Sequence, residues 1–159
     1  MINLAHLQTL PERSDLFLHD VTDMAVMQTA TGSVLYTTSR FAGGDLLAHR
    51  IASDGRLSLL DSLPMPGQPQ AGFEPALAVV DGALMLTGVQ NQALTRVQLD
   101  PDGSFGPASA VTGASLPHQF LSCEMVEVGG QPYLYGLARG AEDIGVWRIN
   151  ANGTITEVQ

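Results

Sequence analysis

Glycine-containing turn dipeptides recur along this chain in two interleaved series, each with a period close to fifty residues. Asp54-Gly55, Asp102-Gly103 and Asn152-Gly153 are 48 and 50 residues apart. Thr31-Gly32, Asp81-Gly82 and Gly129-Gly130 are 50 and 48 apart. Each dipeptide lies between two short runs of alternating or continuous apolar character, such as LLAHRI before and RLSLLDSL after Asp54-Gly55. Asp-Gly or Asn-Gly in that setting is a strong hairpin signal. A type I′ turn needs positive φ at both central residues, and Gly, Asn and Asp reach it at least cost. Each period therefore holds two hairpins, and so four antiparallel strands.

The third strands alternate with period two. Leu47, His49 and Ile51 share one face, as do Val97 with Leu99 and Trp147 with Ile149. A face that repeats from unit to unit implies sheets stacked on like sheets. Four-stranded meanders of 40–50 residues stacked this way are blades of a β-propeller. The expected fold is all-β and propeller-type, a single domain over 1–159. Its three blades are expected at about 23–63, 74–112 and 122–159. LAHLQTLP at 4–11 matches LSLLDSLP at 57–64, so residues 3–11 are expected to form an extra outer strand. Three blades fall short of the ~4–8 that close a ring. Three arrangements are open: part of a longer propeller, a homodimer completing six blades, or an open stack.

Composition narrows the partners. Sixteen acidic against seven basic residues give a net charge of −9. Phosphate backbones and anionic lipid surfaces would be repelled, so nucleic acid is not an expected partner. Only Cys123 carries a thiol, which rules out an intrachain disulfide and a cysteine zinc cluster. No run of apolar residues is long enough to span a membrane. The N-terminus lacks the basic and apolar regions of a signal peptide. The expected location is thus cytoplasmic, or outside by a route that needs no such peptide.

The run TGSVLYTTSR, GGDLLAHRI, SDGRLSLLDSL resembles the blades of lactonase-like propellers. It is also similar to the propeller segment at the start of some bacterial RTX-type secreted calcium-binding proteins. The G-G-x-G-x-D nonapeptide of the RTX calcium module is absent from the sequence. The lactonase-like resemblance implies acidic residues near the channel holding a divalent cation.

Asp23, Glu74 and Glu124 each stand at the start of a blade's first strand, the one that lines a propeller channel. Carboxylates in such a ring suit Ca²⁺ or another hard divalent cation. Solvated strand-entry carboxylates are the plainer reading, because such groups are mostly exposed. His19 and His118 precede Asp23 and Glu124 on the same rim, where a His–carboxylate pair could serve as general base on a ring ester. His49 reads as a core histidine and Cys123 as a core cysteine. No catalytic motif accompanies them. A non-catalytic interaction or scaffolding module is the leading expectation, with provenance in a secreted bacterial calcium-binding protein. The alternative is a lactonase-like hydrolase with a cation on the channel rim.

Overall fold

The computed structural model describes residues 6–10, 21–39, 45–66, 76–87, 94–111, 120–138, 142–150 and 154–159. These residues form three four-stranded antiparallel meanders and no helix. The first blade comprises β1 (Val21–Thr29), β2 (Gly32–Ser39), β3 (Asp45–Ile51) and β4 (Leu57–Pro64). The second comprises β5 (Leu77–Val80), β6 (Ala83–Leu86), β7 (Thr95–Leu99) and β8 (Phe105–Ala110). The third comprises β9 (Phe120–Val128), β10 (Gln131–Ala138), β11 (Ile144–Ile149) and β12 (Ile155–Glu157).

The turns explain where each strand stops. In β5–β6 both central residues have positive φ, Asp81 at 46° and Gly82 at 67°. In β9–β10 the pair is Gly129 at 61° and Gly130 at 79°. These are the two-residue turns the dipeptides predict. The others differ. In the first blade Thr29 pairs with Gly32, so Ala30 and Thr31 are the turn and Gly32 takes the positive φ one place later. The Asp54-Gly55 and Asp102-Gly103 turns have positive φ at Gly alone. Gly103 N–H donates to Asp100 carbonyl across Pro101 and Asp102, at 2.9 Å, and Gly55 N–H to Ala52 carbonyl at 2.8 Å. These are type I turns followed by a left-handed Gly, for which Pro101 is pre-set at the second position. The Asp side chains cap the turn, accepting from Arg56 and Ser104 N–H at 3.0 Å. The third member, Asn152-Gly153, lies outside the described residues.

Stacking buries the cores between sheets. Blade one contributes Val34, Tyr36, Leu46 and Ala48, packed on Leu84, Leu86, Val97 and others of blade two. Blade two offers Met85 and Leu94 from its other face to Leu134, Trp147, Ile149 and Ile155 of blade three. The middle blade is thus apolar on both faces, and β6 is buried at every residue. The terminal blades each keep an outer face. Every large hydrophobic residue exposed by a third or more belongs to one of those blades or to residues 6–10, and none to the middle blade, among the described residues.

Residues 6–10 are not in a strand, contrary to the expectation for 3–11. They lie along β4 through a side chain instead. The Gln8 amide donates to Leu57 carbonyl at 3.1 Å and accepts Leu57 N–H at 2.8 Å. The carboxamide copies one peptide unit and satisfies the edge strand at a single residue.

Candidate channel-mouth site

The closest approaches between sheets run from β1 to β5 and from β5 to β9, so the first strand of each blade forms the inner wall. The upper ends of these strands hold the residues the sequence singles out. Asp23 is partly buried there, just past a register shift in β1 between Val21 and Asp23. One carboxylate oxygen accepts Met24 N–H at 2.8 Å. The other accepts Leu77 N–H of the next blade at 2.7 Å. Asp23 therefore joins blade one to blade two through charge-assisted hydrogen bonds.

Asp61 does the same at the outer strands, a role the sequence did not suggest. Its carboxylate accepts Ser62 N–H at 2.8 Å and Phe105 N–H of blade two at 2.9 Å. Only the repetition of the geometry, own next residue plus neighbouring blade, marks the pair as two clasps on one interface.

Cys123 is partly buried in blade three, and its sulfur lies 3.7 Å from the Thr87 hydroxyl of blade two. Burial pushes the thiol pKa up. The Thr87 contact lowers it, while Asp23 and Glu124 add to the rise. Two consequences follow. The thiol stays protonated at neutral pH, which suits a core cysteine and not a nucleophile. And Asp23 of the first blade is near enough to act on a thiol of the third. Asp23 and Glu124 are not equivalent. Counted back from the hairpin turns, Asp23 is six residues from Thr29 and Glu124 four from Val128. Glu124 is exposed. Glu74, His19 and His118 lie outside the described residues. Among the described residues no three His, Cys, Asp or Glu side chains come close enough to hold a metal ion.

His49 is 2% exposed and its Nδ1 has no hydrogen-bond partner among the described residues. Desolvation lowers its pKa below 6.5, so it is a neutral core residue. The arginines of β3, β7 and β11 are used locally: Arg50 donates to Thr31 Oγ1, Arg96 to Gln98 Oε1 and Arg148 to Asn150 Oδ1.

No protein-family model matches this chain, and no curated protein does. Among solved structures it is similar to a protein from Lactobacillus plantarum, with a TM-score of 0.56 at 14% identity. The match covers 87% of this chain and 40% of that one. The fold is propeller-type and all-β. The likeness at that identity concerns the fold, and the chain spans two fifths of its neighbour's length.

Proposed function

We propose that this chain is a non-catalytic propeller module that serves interaction or scaffolding. The observation that supports this is the state of Asp23, whose two carboxylate oxygens are both taken by backbone N–H groups. A carboxylate so committed is an inter-blade clasp first. Displacing the Leu77 donor for a cation would leave a partly buried N–H unpaired, which costs about 1–3 kcal/mol. The reading predicts no turnover on a panel of lactones with calcium or magnesium present. Divalent-dependent hydrolysis, abolished by Glu124→Gln or Glu74→Gln, would refute it.

A second reading is a lactonase-like hydrolase with a divalent cation on the rim. It is favoured by the placement of Asp23 and Glu124 on the inner strands β1 and β9. A bound cation would stabilise the fold by RT ln(1 + [L]/Kd), about 2.7 kcal/mol at a hundredfold excess over Kd. Calcium that raises the melting temperature of the wild type, but not of Glu124→Gln, would favour this reading. It would also favour provenance in a secreted calcium-binding protein. No shift with calcium or magnesium removes its support.

A further inference from the structure

Several residues that join blades one and two have counterparts, at equivalent register positions, on the two faces left open at the ends of the stack. Tyr36 and Tyr135 are each the fifth residue of their blade's second strand. Tyr36 is fully buried. Its hydroxyl donates to Gly103 carbonyl of blade two at 2.8 Å, and its ring lies 5.8 Å from Phe105. A Cβ on Gly103 would stand 2.7 Å from Val34 and 3.0 Å from the Tyr36 hydroxyl, so only Gly fits there. Tyr135 holds the same register position on the open face of blade three and is only half-buried.

The seat that Tyr135 would need is present at the other end of the molecule. Gly55 is the turn equivalent of Gly103, with φ of 84° against 91°, and Leu57 is the equivalent of Phe105. Gly55 has no tyrosine over it. Leu7 takes that place, with its Cδ1 3.0 Å from where a Gly55 Cβ would be, while Gln8 holds Leu57. A cleft of about 320 Å³ borders this contact, between Leu7, Leu10, Gly55 and Leu57.

We propose that two copies of this chain close head to tail into a six-bladed ring, Tyr135 of each seated on the Asp54-Gly55 turn of the other, a seat that residues 6–10 plug in the single chain. Three matches support a second copy as the occupant. The hydroxyl–carbonyl bond is available in both places. Side-chain bulk is exchanged across the seat: Val34 and Phe105 share the core between blades one and two, whereas their counterparts are the larger Tyr133 and the smaller Leu57. Charge also repeats. Hydrogen bonds from Ser104 chiefly hold the Asp102 pKa down and Arg50 adds to this across the internal interface; their equivalents Arg148 and Asp54, the latter beside Arg56, are both exposed at opposite ends. The apolar faces to be covered are exposed at Met24, Val26 and Leu59 on one side and at Val126, Val128 and Ile144 on the other. Closure fixes the number. Copies add blades in threes, and six is the multiple of three within the ~4–8 range of propeller rings. A head-to-tail contact that closes after two copies leaves no blade face open.

The test is molar mass by sedimentation and light scattering over a wide concentration range. The expected result is a reversible passage from the 16.8 kDa chain to twice that mass. Tyr135→Ala should weaken it by about tenfold or more, as removal of a buried aromatic anchor does. The Leu7→Ala/Gln8→Ala variant of the 159-residue chain should dimerise more tightly than wild type. Direction is read by cross-linking. On a Cys123→Ser background, Tyr135→Cys mixed with Leu57→Cys should form a disulfide-linked pair, and neither should link to itself. A monomer at all concentrations in both the wild type and the plug variant overturns the proposal. So does a dimer indifferent to Tyr135→Ala, self-linking of Tyr135→Cys, or assembly beyond two copies.

Discussion

At the scale of single residues, two positions are set by what lies against them. Gly103 combines a φ of 91° with side chains of the neighbouring blade at its Cα. Gly103→Ala should cost about 2 kcal/mol or more, from left-handed strain plus displacement of Val34. A urea titration gives the value, and a loss below about 0.5 kcal/mol would mean the turn can relax. Gly130→Ala, at a φ of 79° and with open space around it, isolates the strain alone. His49 sets a pH dependence. The unfolded side chain titrates near 6.5 and the folded one lower, because burial disfavours the charged ring. Below 6.5 the unfolded chain takes up a proton that the folded chain refuses. Stability from this group is therefore complete above pH 6.5 and falls as the pH drops below it. His49→Leu should flatten the decline in denaturation midpoint between pH 7.5 and 5.5. An unchanged slope would assign the decline to other groups. Tyr36 adds no such dependence in that range, since burial, with the Asp102 carboxylate, pushes it up to about 12.

At the scale of elements, the interface between blades one and two is apolar in the middle and clasped at both margins. Asp23 holds β1 to the start of β5, and Asp61 holds β4 to the start of β8. A hydrogen bond to a charged group is worth about 1.5–3 kcal/mol. Asp23→Ala and Asp61→Ala should each lower stability by that order. The two sites lie at opposite margins, so their losses should add in the double variant to within about 0.5 kcal/mol. Chemical denaturation of the four species checks this. Clear non-additivity would show that the blades undock as one unit once either clasp opens. The interface between blades two and three shows neither clasp among the described residues, and relies on Met85 and Leu94 against Leu134, Trp147 and Ile149.

At the scale of the whole molecule, protection is graded from the centre outward. Blade two is covered on both faces and its β6 is wholly buried, whereas β9 is exposed from Val126 to Val128. Hydrogen exchange should be slowest in β6 and the strands beside it, and faster in β9 and β12. If β9 exchanges as slowly as β6 in dilute protein, something covers the third blade even at low concentration. Raising the concentration should slow exchange in β9 and at Leu57, where the ring would close, and leave β6 unchanged.

Turn dipeptides and period-two alternation determined the all-β class, three repeats and four strands in each. Both are local signals, written within a few residues of the structure they specify. Strand pairing across a hairpin follows from them, and so does the neutral core role of His49. The turn types were only half legible, because Asp-Gly serves both a type I′ turn and a type I turn with a trailing Gly. The choice in the second case lies with Pro101 and the carboxylate cap. The role of residues 6–10 was misread, since a Leu-Leu-Leu-Pro pattern does not say whether backbone or side chain will meet the sheet. Asp61 and the Tyr36–Gly103 contact were invisible in the sequence. Their partners are 44 and 67 residues away, on another blade. Stacking brought Asp23, Thr87 and Cys123 from three blades to one place, and gave Asp23 a hydrogen-bond donor on blade two. The sequence wrote the blades, because each is a local object. What the blades do to one another, and which faces they leave open, was decided by how the sheets stack.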